Sequence, residues 1–225
     1  MPAGFSEPPQ RVHPLAAVLV DVTPQCCPTR VNFHCHTVCS DGSLRPADLA
    51  QQALTLGLEH LAITDHHSLA AYDEAKAVLE RTRDQQQPAP VLWRGVEISA
   101  LLEGCLVHVL ALGFDAHHPS LTPYLQGNSL VGPALRADVV VAAIHAAGGL
   151  ALLAHPGRYR LPFNTLIRAA ANLQFDGAET WYDYGMAPVW SPTPVLCEAI
   201  AAEVRRCGLL MSCGTDSHGY DLCGR

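Results

Sequence analysis

From residue 31 to residue 213, short apolar runs of strand length alternate with longer segments of helical period. Such a chain buries each run between flanking helices, which favours a mostly parallel α/β sheet. The pattern predicts seven strands, over 31–36, 61–64, 91–99, 106–112, 150–154, 177–182 and 209–213. It predicts helices over 46–56, 69–83, 135–147, 163–173 and 195–207. Ser43 is the expected cap of the first helix and Gly57 its terminator. Residues 115–133 and 181–194 read as loops punctuated by Pro, Gly and Asn. No G-x-G-x-x-G or P-loop follows any strand, so a nucleotide-cofactor crevice is not supported. Polar residues gather at strand ends instead, which favours a barrel with its active site there.

The proline-rich residues 1–30 lack a clear period, although Leu15 to Val22 fits a strand or a short helix. We read them as an extension packed on a main domain spanning 31–225. No basic segment precedes an apolar stretch at the N-terminus, so no signal peptide is expected. No apolar run reaches the roughly 18 residues of a membrane span. The nine cysteines form no C-x-x-C pair, and the expected setting is a reducing cytoplasm. A net charge of −7 argues against a broad surface for duplex nucleic acid. The sequence carries no signal for an oligomeric state.

Histidine is the outlier: there are 12, against 14 lysines and arginines together. His34 and His36 lie two apart on a predicted strand, so both imidazoles share a face and Cys35 points the other way. Asp41 follows in Ser40-Asp41-Gly42, and Asp65, His66 and His67 end the second strand. Glu97 and His108 interrupt apolar strands, and His155-Pro156 and Asp216-Ser217-His218 end later ones. Taken singly, each has an ordinary reading. An x-His-x-His pair arises by chance, Asp-Gly is a common turn, and a lone strand histidine is usually satisfied in the core. A buried Glu97 is harder to dismiss, because it needs a partner. The conjunction decides: six histidines and three carboxylates at one barrel mouth are costly to bury unless cations compensate them. Imidazole and carboxylate ligands without cysteine suit zinc, manganese or iron. Nine ligands exceed one ion, so two or three close divalent ions fit, a device suited to phosphoryl transfer.

The ordered set His34-x-His36-Thr37, Ser40-Asp41-Gly42, Thr64-Asp65-His66, Glu97, His108, His155-Pro156 and Asp216-x-His218 resembles the PHP (polymerase and histidinol phosphatase) superfamily. The resemblance runs from about residue 31 to 220. It implies a distorted (β/α)₇ TIM-like barrel with a trinuclear metal site at the C-terminal ends of the strands. Carried over motif by motif, His34, His36, Glu97 and Asp216 would hold one ion. Asp41, His66 and His218 would hold a second. Glu97, His108 and His155 would hold a third, with Glu97 bridging. A metal-bridging hydroxide would attack phosphorus, and Asp65 would orient a ligand histidine.

Asp65-His66-His67-Ser68 and His155-Pro156-Gly157-Arg158-Tyr159 look most like the nucleotide 3′-phosphatases and 5′-to-3′ exonucleases of that superfamily. The implied substrate is a nucleotide or a short single-stranded RNA or DNA. Arg158, and with it Arg160, would then bind a phosphate, and His67 would touch substrate. Each is equally an ordinary loop residue. Trp181, Tyr182, Tyr184 and Trp190 either stack a base or belong to the core. Related enzymes often insert a cap between the fourth-strand histidine and His-Pro; the short span from His108 to His155 leaves that cap short or absent. The chain stops soon after His218, so residues 1–30 are the candidate cover for the last strand. Two alternatives stay open: a phosphatase for a non-nucleotide metabolite resembling histidinol phosphate, and a metal-binding module without turnover.

Overall fold

The computed structural model describes residues 12–224. Seven strands form one sheet in sequence order: β1 (Val31–Asn32), β2 (His60–Ile63), β3 (Val91–Leu102), β4 (Cys105–Leu112), β5 (Leu150–Leu153), β6 (Gly177–Trp181) and β7 (Leu210–Cys213). The helices are α1 (Pro14–Leu19), α2 (Pro46–Leu56), α3 (Ala71–Asp84), α4 (Ala137–Ala146), α5 (Phe163–Asn172) and α6 (Pro194–Arg206). α2 has the bounds that its sequence predicts, because Pro46 opens it and Gly57 closes it in a left-handed conformation. The expected Ser43 cap is absent: Arg45 precedes the helix without a side-chain cap, and the Ser43 amide donates to the His218 carbonyl instead.

One strand departs from the parallel pattern. β4 runs antiparallel to both β3 and β5. The two residues between β3 and β4, Glu103 and Gly104, both have positive φ (50° and 68°), the geometry of a tight hairpin turn. The reversal brings the N-terminal half of β4, not its C-terminal end, to the end of the barrel where β3 finishes. His108 therefore lies opposite Ser99. Residues 113–136, between β4 and α4, contain only two single-turn helices, Thr122–Leu125 and Gly132–Leu135.

Alternation along the strands separates two apolar layers. Val96, Ile98, Ala100, Val107, Val109, Ala111, Ala151 and Leu153 pack outward with residues of α4, α5 and α6. Leu110, Leu112, Leu150, Leu152, Phe33 and Ala62 belong to a second cluster through the barrel. Leu15, Leu19 and Val22 join this cluster. Nearby, His13 accepts from the Leu15 amide and donates to the carbonyl of Gly113, just past the end of reversed β4. α1 thus covers the barrel end opposite His108. Cys35 packs with α2 and α3, away from the His34 and His36 rings. The part of the N-terminal extension before residue 12 lies outside the described residues. Among the described residues, no helix is long and apolar enough to cross a membrane.

The barrel closes between β7 and the segment after β1. Phe33 donates to Cys213 (3.1 Å), Asp216 to His34 (2.8 Å) and His36 to Ser217 (3.1 Å). Asn32 locks the seam, its Oδ1 accepting from the Thr215 amide (3.1 Å) and its Nδ2 donating to Thr215 Oγ1 (2.8 Å). Gly214 permits this approach. A Cβ there would lie 2.2 Å from His34 Cβ and 2.5 Å from His34 N. Gly214→Ala should force the seam apart and destabilise the fold by about 1–3 kcal/mol, as overpacking does. Thermal unfolding should show a melting temperature lower by roughly 2–4 °C for each kcal/mol; an unchanged midpoint would contradict this account of closure.

Candidate metal centre

The seam that closes the barrel also sets the site. His34, Asp216 and His36 follow one another along the hydrogen bonds just described, so their side chains enter the same mouth. Glu97 meets them from β3. Its Oε2 lies 3.1 Å from His34 Nε2, 3.2 Å from His36 Nε2 and 3.5 Å from His66 Nδ1. Its Oε1 lies 2.9 Å from His108 Nδ1 and 3.2 Å from His155 Nε2. One buried carboxylate thus divides its two oxygens between two sets of imidazoles. Asp216 is divided too: Oδ1 sits 3.3 Å from His34 Nε2 and 3.2 Å from His36 Nε2. Its Oδ2 accepts from Tyr182 (2.6 Å) and Arg158 (3.1 Å).

A further group gathers at the solvent side. Asp41 Oδ1 is 3.6 Å from His36 Nδ1 and 3.4 Å from His218 Nε2, while Oδ2 is 3.7 Å from His66 Nε2. His218 donates from Nδ1 to the Asp216 carbonyl, which leaves Nε2 facing Asp41. Three sets of donor atoms are compact enough for one ion each: His34, His36, Glu97 and Asp216; His36, Asp41, His66 and His218; and His66, Glu97 and His108. His155 reaches the same Glu97 oxygen as His108. All nine candidate ligands therefore converge on one mouth.

Two observations bear on whether the cluster fits cations. Buried His36 forms no hydrogen bond from either ring nitrogen, and His108 Nδ1 and His155 Nδ1 also lack one. The short distances from His36 and His108 to carboxylates are thus charge contacts without hydrogen-bond alignment. Rings held this way suit a shared cation better than their neighbouring carboxylates. The charge balance agrees. Burial opposes charge on His34, yet Glu179, Glu97 and Asp216 outweigh it and hold the ring well above the ordinary histidine range. Burial likewise opposes charge on His36, but Asp216 and Glu97 raise it to about 9. Burial pushes His66 down to about 4, with His36 and His108 adding to it against Glu97. Burial would raise Glu97, but His34 and His108 keep it well below the usual carboxylate range. The carboxylates thus hold positive charge at the centre, and divalent ions would supply that charge in place of protons.

The backbone is strained at two of the candidate ligands. His155 has φ 25° and ψ 62°, and Asp216 has φ 51°. Each such residue costs on the order of 1–3 kcal/mol and persists only where its surroundings fix it. Asp216 is fixed by the hydrogen bond that its amide donates to the His34 carbonyl. His155 donates its amide to Glu179 Oε2 at 2.8 Å.

Other residues depart from expectation. Asp65 does not orient a histidine: its Oδ1 accepts from the Thr37 amide (2.7 Å) and Ser40 Oγ (2.6 Å), and its Oδ2 from Thr37 Oγ1 (2.6 Å). It shapes the loop that carries Asp41. His67 is buried, and both its nitrogens are engaged. Nε2 accepts from the Ser99 amide, so Nδ1 carries the proton and donates to the Tyr124 carbonyl. It has no atom to spare for substrate. Arg160 donates to the Gly104 carbonyl in the β3–β4 turn and does not line the cavity. Arg158 does line it. Trp181, Tyr182 and Trp190 are buried, Tyr184 packs against Gly157, and none of the four lines the cavity.

Sequence reasoning missed Glu179. It lies inside an apolar strand and is fully buried, as Glu97 is, and the same signal would have found it. The cavity over the site measures about 720 Å³. Asp41, His66, Glu97, His108, His155, Asp216 and His218 line it, with Arg158 and Tyr159, and Met186, Ala187 and Pro188 form an apolar wall.

Comparison with known proteins agrees with this architecture. Residues 32–126 match the PHP domain family. The chain is 37% identical over 97 residues to a 5′-3′ exoribonuclease of Haemophilus influenzae, covering 43% of this chain and 33% of that one. It is 32% identical over 118 residues to a 3′,5′-nucleoside bisphosphate phosphatase of Chromobacterium violaceum, covering 52% of this chain and 39% of that one. These matches span only about a third of each relative's length. A solved structure from Bifidobacterium adolescentis, described as a metal-dependent phosphoesterase, superimposes with a TM-score of 0.66 at 24% identity. It covers 86% of this chain and 89% of that one, a likeness of fold. In the matched segment 32–126 and in its seven-stranded barrel, the chain is similar to PHP-domain proteins.

Proposed function

We propose that this protein is a metal-dependent phosphoester hydrolase acting on nucleotide phosphates, as a nucleoside bisphosphate phosphatase or an exonuclease on short single strands. The observation that carries the reading is the division of the Glu97 oxygens between two imidazole sets. His34, His36, Glu97 and Asp216 would hold one ion, Asp41, His66 and His218 a second, and Glu97, His108 and His155 a third. Manganese, zinc or iron would suit these ligands. Such ions, when bound, supply Lewis acidity toward water and phosphoryl oxygens.

The chain's own residues do the rest. Arg158 is 42% exposed and lies beside Asp216, so it can turn a guanidinium N–H toward a substrate phosphate while Tyr182 keeps Asp216 Oδ2 satisfied. Asp65 acts at a distance, through the loop that presents Asp41. Met186, Ala187 and Pro188 line the same cavity as the ligands and suit the flat apolar face of a nucleobase. That apolar lining and the activities for which the two relatives are named favour nucleotides over polyol phosphates. The same reading includes a cytoplasmic setting, since nine cysteines, six of them buried, suit a reducing compartment.

Metal-depleted protein should release no phosphate from a nucleoside bisphosphate or a 5′-phosphorylated oligonucleotide, and added manganese should restore release. Preference for a sugar or amino-alcohol phosphate over every nucleotide tested would defeat the nucleotide assignment. No release from any phosphoester with manganese, zinc or iron would support a module without turnover. Arg158→Ala should raise KM by roughly 10-fold or more, the worth of a charge-assisted hydrogen bond to phosphate. An unchanged KM in steady-state assays would remove Arg158 from the binding site.

A further inference from the structure

Glu179 is fully buried on β6 and does not line the cavity. Burying a carboxylate is costly, and an apolar side chain would fill the same space without that cost. What only an acceptor can do here is visible in its partners. Oε1 and Oε2 lie 3.0 and 3.1 Å from His34 Nδ1, and Oε2 also accepts the His155 amide at 2.8 Å. For His34 Nε2 to coordinate a cation, the one remaining ring proton must sit on Nδ1. That is the nitrogen Glu179 faces. The bond to His155 holds a backbone with φ 25° that a non-glycine residue rarely adopts. The two residues so held meet different oxygens of Glu97: His34 Nε2 faces Oε2, and His155 Nε2 faces Oε1.

We propose that Glu179 is a positioning residue for the metal cluster, fixing the ring proton of His34 on Nδ1 and pinning the His155 backbone so that both present Nε2 to the two sides of Glu97. The inference rests on the metal-binding reading above. It assigns Glu179 no contact with substrate. Its action couples two ligand sets through one side chain, so its loss weakens more than one ion.

The test is Glu179→Gln, titrated in metal-free form with zinc alone and with manganese alone. The Gln oxygen keeps the His155 amide, and the Gln amide group then faces His34 Nδ1 as a donor. That moves the ring proton to Nε2, where it blocks coordination. Apparent metal affinity should fall roughly 10- to 100-fold, and the number of ions bound should drop, while the circular dichroism of the metal-free protein stays unchanged. Nitrogen NMR of the zinc-loaded unaltered protein should find the His34 proton on Nδ1, a result that does not require the variant to fold. Unaltered affinity and stoichiometry in Glu179→Gln would overturn the proposal and leave the metal reading intact, whereas a proton on His34 Nε2 in the zinc-loaded unaltered protein would overturn the proposal and also remove His34 as a ligand through that nitrogen. If the unaltered protein takes up neither metal, both fall.

Discussion

The carboxylate of Glu97 is buried among the rings of His34, His36, His66, His108 and His155, and the site is arranged around it. An isolated charge at that depth would be strongly disfavoured. It is tolerated because every approach to it carries an imidazole, and because those rings come from different strands and loops. β3 supplies Glu97 from the middle of a long strand. Reversed β4 brings His108 beside it, and the segments after β2 and β5 bring His66 and His155. The barrel gathers onto one carboxylate residues that are distant in the sequence.

The rest of the fold serves the same convergence. Closure between the Phe33–His36 segment and residues 213–217 joins the two ends of the sheet and fixes His34 and Asp216 in a single set of backbone hydrogen bonds. α1 covers the opposite barrel end, so the polar mouth is matched by an apolar base. His155 and Asp216 have positive φ, and buried hydrogen bonds hold their backbone in place. Asp65 and Glu179 work one layer behind the ligands, the first shaping the loop of Asp41, the second gripping His34 and His155.

Much of this was legible in the sequence. The strand and helix alternation foretold seven strands, because each strand is a short apolar run bounded by turn residues. α2 was marked by Pro46 and Gly57, which fix helix ends through φ and through the left-handed conformation. The reversal of β4 was hidden, since Glu103-Gly104 is a weak turn signature and apolar strands read alike in either direction. Among the candidate residues, the nine expected metal ligands converge at one mouth. The residues proposed for substrate divide: Arg158 lines the cavity, whereas His67 and Arg160 do not. His67 and Arg160 sit in the same motifs as true neighbours of the cavity, but the pleat and the loop path turn them toward Ser99 and Gly104. Motif membership does not encode that difference. The buried aromatics near residues 181–190 illustrate the same limit: composition suggested stacking, and packing used the rings for the core.

The central claim is that Glu97 is shared between cations rather than between protonated histidines alone. Anomalous diffraction from crystals of the metal-loaded protein, recorded on either side of the metal's absorption edge, tests it most directly. The account predicts at least two peaks within coordination distance of the Glu97 carboxylate, one on the His34 and His36 side and one on the His108 and His155 side. A single peak remote from Glu97, or none at full metal loading, would contradict it.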